Sequence, residues 1–84
     1  MSIRIRSFAA AKATLGAAEQ QSDASGVTID ELMGQLAAGA PDVAAATTVL
    51  DRCSFILNRH ATADRTVVLS DGDELDILPP FAGG

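Results

Sequence analysis

Eighty-four residues make one small domain, and folding such a chain buries roughly 60% of the surface its unfolded form exposes. Hydrophobic residues reach 48%, but sixteen of them are alanine, leaving eight Leu, five Ile, five Val, two Met and three Phe as the real core. That is enough for one sheet packed on one or two helices and too little for a large cavity with its own cofactor. Eleven acidic against six basic residues give a net charge of −5. This balance opposes nucleic acids and anionic membranes, which need Lys and Arg against phosphate, and suits a basic protein partner.

One cysteine, Cys53, cannot form an internal disulfide, and nothing argues for an oxidising compartment. The opening "MSIRIRSF" has no apolar run suited to a signal peptide, and no stretch approaches the ~20 apolar residues of a membrane span. A cytoplasmic location is the expectation.

In chain order, "SIRIRSF" alternates Ile3 and Ile5 with Arg4 and Arg6, which predicts a half-buried strand with both arginines on the wet face. "AAAKATLG" reads as a helical turn or loop stopped by Gly16, and "AAEQQSD" as an edge-like second strand. In "GVTIDELMGQLAAG", Thr28 and Glu31 have capping-box spacing, and Val27 and Leu32 stand at the two positions of a hydrophobic staple. Ile29, Leu32, Met33, Leu36 and Ala37 then recur at helical spacing. Gly39 is placed to end this helix in a left-handed conformation, and Pro41 prevents its resumption. "PDVAAATTVLDR" predicts a second, shorter helix starting at Pro41. "CSFILN" is a buried strand with Cys53, Phe55 and Leu57 on one face. "NRHATAD" reads as a loop and "RTVVL" as a strand. "SDGD" is a turn in which Gly72 takes a positive φ. "ELDILPP" is the last strand, ended by Pro79 and Pro80, which cannot donate to a ladder. Strands flanking a central helix in so short a chain predict an α+β fold, a mixed sheet with the helix across one face.

Side-chain chemistry is sparse. Cys53 and His60 are the only soft or imidazole groups, and Cys53 lies in phase with Phe55 and Leu57, inside the core, while His60 sits in a polar loop. His60 and Asp64 are too few for a metal site. "DGDELD" has its glycine second and lacks the closing glutamate of a calcium loop, so it reads as a solvated turn. Residues 66–84 carry four acids and no base, a negative collar at the end of the sequence. No phosphate loop, CxxC pair, nucleophile elbow or carboxylate pair is present, so neither a metal nor a bound cofactor is expected.

What remains is "LPPFAGG". The prolines stiffen the exit and reduce the entropy lost on entering a partner. The six residues from Pro79 to Gly84 reach about 20 Å. Gly83 and Gly84 lack Cβ atoms, so a narrow tunnel admits them and a second active site can approach the Gly84 carboxylate. A carboxylate is a poor electrophile until it is converted to an acyl-phosphate or acyl-adenylate.

With these pieces in place, the strand running into "SFAAAKATLG", the helix "TIDELMGQLA", the strand "CSFILN" and above all "LSDGDELDILPPFAGG", the chain resembles the ubiquitin-like sulfur carriers. Pro-Pro ahead of x-x-Gly-Gly is most similar to the molybdopterin synthase small-subunit branch of that MoaD/ThiS family. The resemblance implies a ubiquitin-like β-grasp: a mixed sheet of about five strands, one main helix across it and a second short helix. It also implies a globular part, residues 1–78, and an extended tail, residues 79–84.

By the same resemblance, Gly84 is adenylated by an ATP-using activating enzyme and converted to a thiocarboxylate. It then gives its sulfur to a pterin precursor inside the large synthase subunit, in molybdenum cofactor biosynthesis. Leu78, Pro79, Pro80, Phe81, Ala82 and Gly83 become partner contacts, and the chain is a non-catalytic carrier subunit, within a heterotetramer, binding no cofactor itself. Sulfur carriage for cysteine, thiamine or thiouridine synthesis, a protein modifier joined through Gly84, and an inert interaction domain are the alternatives. Two departures from the family pattern stand out. Where Asn-Gly is common, "NRHATAD" gives a longer loop of open role over residues 58–64. Phe81 replaces a smaller residue, which implies a wider partner groove.

Overall fold

The computed structural model describes residues 2–8, 19–23 and 25–79. The turn or loop expected around Gly16 and the tail residues Pro80, Phe81, Ala82, Gly83 and Gly84 lie outside the described residues. Seven elements follow one another: β1 (Ile3–Ser7), β2 (Glu19–Ser22), α1 (Ile29–Ala38), α2 (Val43–Leu50), β3 (Ser54–Leu57), β4 (His60–Thr62) and β5 (Glu74–Leu78). The strands form one sheet in the order β2-β1-β5-β3-β4. β1 and β5 are parallel, and the other three pairings are antiparallel. The last strand thus sits at the centre, between the first strand and the β3–β4 hairpin.

Period-two alternation decides which face is buried. Ile3 and Ile5 of β1, Leu75 and Ile77 of β5, and Phe55 of β3 point inward and meet Ile29, Leu32, Met33 and Ala37 of α1. Ala46 and Leu50 of α2, with Cys53 and Leu69, complete the cluster. Cys53 is buried as its phase predicts and its thiol donates to the Val49 carbonyl at 3.3 Å. His60 is exposed on β4, away from it. Among the described residues no helix is long and apolar enough to cross a membrane.

The α1 capping box is present in both directions. Glu31 N–H donates to Thr28 Oγ1 at 3.1 Å, and Thr28 N–H donates to Glu31 Oε1 at 3.0 Å. The first-turn donors it leaves over are taken by a neighbouring segment: Ile29 N–H bonds the Val67 carbonyl and Asp30 N–H the Arg65 carbonyl, both at 3.0 Å. This corrects the expectation that "RTVVL" is a strand. Those carbonyls are spent on the helix end rather than on a ladder, and the segment makes only an isolated bridge, Thr28 to Val68. Arg65 fixes the segment from its side chain. Its guanidinium bonds Asp30 and the Leu50 carbonyl, each at 3.0 Å, and lies 5.3 Å from the centre of the Phe55 ring.

Three further expectations change. Gly39 does not turn left-handed: its φ of −88° and ψ of −3° end α1 in a tight right-handed turn, with Ala40 N–H on the Ala37 carbonyl. Pro41 precedes rather than opens α2, because Asp42 is the N-cap and accepts from Ala45 N–H at 3.1 Å. The long loop over residues 58–64 is instead a two-residue turn, Asn58-Arg59, followed by β4, with Leu57 opposite His60. Both turn residues have positive φ, 48° and 71°. Such a turn matches the twist of a hairpin, but the left-handed region costs a residue bearing a Cβ about 1–2 kcal/mol. Gly72, at φ 87°, takes the predicted positive-φ place in the turn before β5 without that cost.

Candidate functional site: the tail root and the open sheet face

The helices cover one face of the sheet, and the side chains of opposite parity line the other. Register places Arg4 beside Glu74, Arg6 beside Asp76, Asp76 beside Ile56, and Leu78 beside Ser54. Arg6 Nε and Nη2 donate to the two Asp76 oxygens at 2.8 and 2.7 Å, a bidentate pair whose carboxylate side chain is only 12% exposed. Those hydrogen bonds, and then the charge of Asp76, hold the Arg6 guanidinium protonated more firmly than usual. Arg4 bonds Glu19 and lies 3.7 Å from Glu74.

The expected negative collar is therefore met by cations at two of its four acids. Glu74 and Asp76 face arginines, and Asp73 accepts from Ser70 N–H and from Asn58 Nδ2 at 2.8 and 2.9 Å. The turn "SDGD" is thus a bonded corner, and only part of "DGDELD" is solvated.

The tail leaves from this frame. Leu78, the end of β5, is half-buried, and Pro79 is buried. Of the expected partner contacts, these two are described and adjacent. Pro79 is thus held in the body of the domain. Carried one step past Ser7 and Ile77, the β1–β5 register sets Phe8 beside Leu78, and Phe8 N–H donates to the Ile77 carbonyl at 3.3 Å. Phe8 is 41% exposed, with the Arg6 guanidinium 5.8 Å from its ring centre. The outer face at the tail root is thus apolar, made by Phe8 and Leu78, and backed by a charge pair.

Sequence reading passed over Phe8, although it continues the parity of Arg4 and Arg6. It passed over Asp76 because a run of acids looks alike until a register assigns each one a partner. Cys53 takes no part in the site. Burial pushes its thiol pKa up, and the nearby Arg65 charge offsets this only in part.

A five-stranded mixed sheet with parallel first and last strands at its centre, wrapped on one main helix, defines a ubiquitin-like β-grasp domain. The chain belongs to the ThiS family, whose profile matches residues 5–84. It is 33% identical over 86 residues to the molybdopterin synthase sulfur carrier subunit of Chlamydomonas reinhardtii, with both chains covered in full. Among solved structures, SAMP1 from Haloferax volcanii matches with a TM-score of 0.76 at 24% identity, both chains covered in full. One chain of the protein–protein complex of subunits 1 and 2 of molybdopterin-converting factor from Helicobacter pylori matches with a TM-score of 0.68 at 26% identity, this chain and that one covered in full.

Proposed function

We propose that this chain is the sulfur carrier of a molybdopterin synthase, working in the cytoplasm, with the Gly84 carboxylate as its reactive group. The observation that carries the reading is the end-to-end likeness to a relative named as that carrier, in a family match that runs through Gly84. The geometry agrees with it. A tail rooted in the central strand by a buried proline has a fixed origin, and an apolar patch beside that origin suits a partner that receives the tail.

The chemistry follows from the carboxylate. An activating enzyme joins it to the adenylate of ATP and releases pyrophosphate. A sulfur nucleophile at the oxidation level of sulfide displaces AMP, leaving a thiocarboxylate. Within the large subunit, that sulfur moves to the pterin precursor and water restores the carboxylate. Gly83 and Gly84 give both active sites close access, while Pro80, Phe81 and Ala82 line the route in.

Intact-mass measurement of the protein from sulfur-replete cells tests this. A fraction carrying one sulfur in place of one oxygen at Gly84 is expected. Amide-linked adducts on lysines of other proteins would instead favour the modifier reading, and finding neither species would overturn sulfur carriage. Deleting Gly84 is expected to abolish sulfur transfer while the unfolding midpoint stays unchanged; transfer that persists would remove Gly84 from the mechanism.

A further inference from the structure

The outer sheet face carries a shallow concavity of about 180 Å³, lined by Arg6, Ile56, Arg59, Glu74 and Asp76. This is smaller than the ~300 Å³ at which small-molecule pockets begin, and it has room for one side chain. Its charges are almost all spoken for. Asp76 is occupied by Arg6 through both oxygens, and Glu74 faces Arg4. Among the described residues nothing bonds to the Arg59 side chain, so of the two guanidiniums that line the concavity Arg59 is the one with no bonded carboxylate.

Arg59 is also held there against its backbone preference. Its neighbour in the turn, Asn58, has compensation for a positive φ. Asn58 N–H donates to the Glu74 carbonyl at 2.8 Å, Nδ2 to Asp73 at 2.9 Å, and Oδ1 accepts from Glu74 N–H at 2.9 Å. Arg59, at φ 71°, has none among the described residues. The hairpin asks for a positive φ at this position but not for an arginine, which glycine would replace without the cost, and a strained choice of residue points to function. The clamped Asn58 fixes the turn, and the turn sets an unpaired guanidinium on the rim of a side-chain-sized hollow with Ile56 in its wall.

We infer that Arg59 is a specificity residue of the carrier's docking face, and that the hollow receives an acidic side chain of the large partner subunit. A glutamate suits it: the methylenes lie on Ile56 and the carboxylate meets the free guanidinium. The inference rests on the function proposed above. The same face carries Leu78 and Phe8 at the tail root. From Glu74, which lines the hollow and bonds Asn58, to Leu78 is four strand residues, about 13 Å. A standard interface of about 800 Å² per partner extends further than that, so a subunit that takes the tail also covers Arg59.

The test compares wild type, Arg59→Gly and Arg59→Lys, full chain in each case, for calorimetric affinity to a purified large subunit from the same cells. Arg59→Gly relieves the turn, so its thermal midpoint rises by about 4 °C or more. Its affinity for the large subunit falls about tenfold, with the deficit shrinking as salt is raised. Arg59→Lys keeps the charge and binds between the two. Binding of Arg59→Gly within about twofold of wild type overturns the inference, as does a loss that salt leaves unchanged, which would belong to the shape of the turn. A wild type that does not bind the large subunit fails differently: it removes the proposed function and this inference with it.

Discussion

Arg6 and Asp76 are partners of unequal need. The carboxylate is almost covered and depends on the two guanidinium N–H groups, whereas Arg6 is half-exposed and has water for the loss. Arg6→Ala should therefore lower the urea midpoint more than Asp76→Asn, and the double variant should recover part of the Arg6→Ala loss. An equal loss from the two single variants would contradict this asymmetry. Cys53 offers a second residue-scale check. Its folded-state pKa is raised by burial, so the stability tied to the neutral thiol is fully present below the ordinary thiol value of about 8.5. That stability is lost as pH climbs through the folded value. Urea titrations at rising pH should show this alkaline decline in the wild type and not in Cys53→Ala. Cys53→Ser should leave sulfur transfer intact, because the thiol lies on the covered side of the sheet.

Elements were legible where a local pattern fixes them. β1, α1, α2, β3 and β5 follow from alternation, helical spacing and capping, all of which act over a few residues. Thr28→Ala should cost about 1 kcal/mol in denaturant unfolding with the slope unchanged, since it removes one direction of the capping box directly. What the sequence hid was decided by distant partners. "RTVVL" has the composition of a strand, yet residues 65 and 67 give their carbonyls to the first turn of α1, an arrangement that no window around them contains. Arg65 closes that junction with a forked, planar contact to Asp30, the Leu50 carbonyl and the face of Phe55. Arg65→Lys cannot reproduce it and should cost on the order of 1 kcal/mol despite keeping the charge. The Asn58-Arg59 turn was missed for a related reason. Without the glycine that marks such hairpins, its left-handed backbone is held by Asn58 bonds to residues 73 and 74.

At the scale of the molecule, the functional expectation falls on the tail, because its signal is a run of residue types rather than a contact. Its seat was not legible: that Pro79 is buried depends on the sheet order around β5. A chain ending at Pro79 keeps every core residue among those described and should unfold at the wild-type midpoint, whereas one ending at Leu78 loses a buried ring and should unfold earlier. Matching midpoints for the two truncations would show that the proline adds nothing to the fold.

The parallel seam between β1 and β5 also sets the order of events during synthesis. Residue 4 pairs with residue 74 and residue 7 with residue 77, so the two halves of the sheet meet across some seventy residues of intervening chain. Contacts so far apart in sequence slow folding, because a long loop must close before they contribute. A nascent chain that has not yet released residue 78 has no strand to join its first ribbon to its hairpin. The sheet closes only when its last strand arrives, so a chain cut short of β5 has a ribbon and a hairpin with nothing to join them.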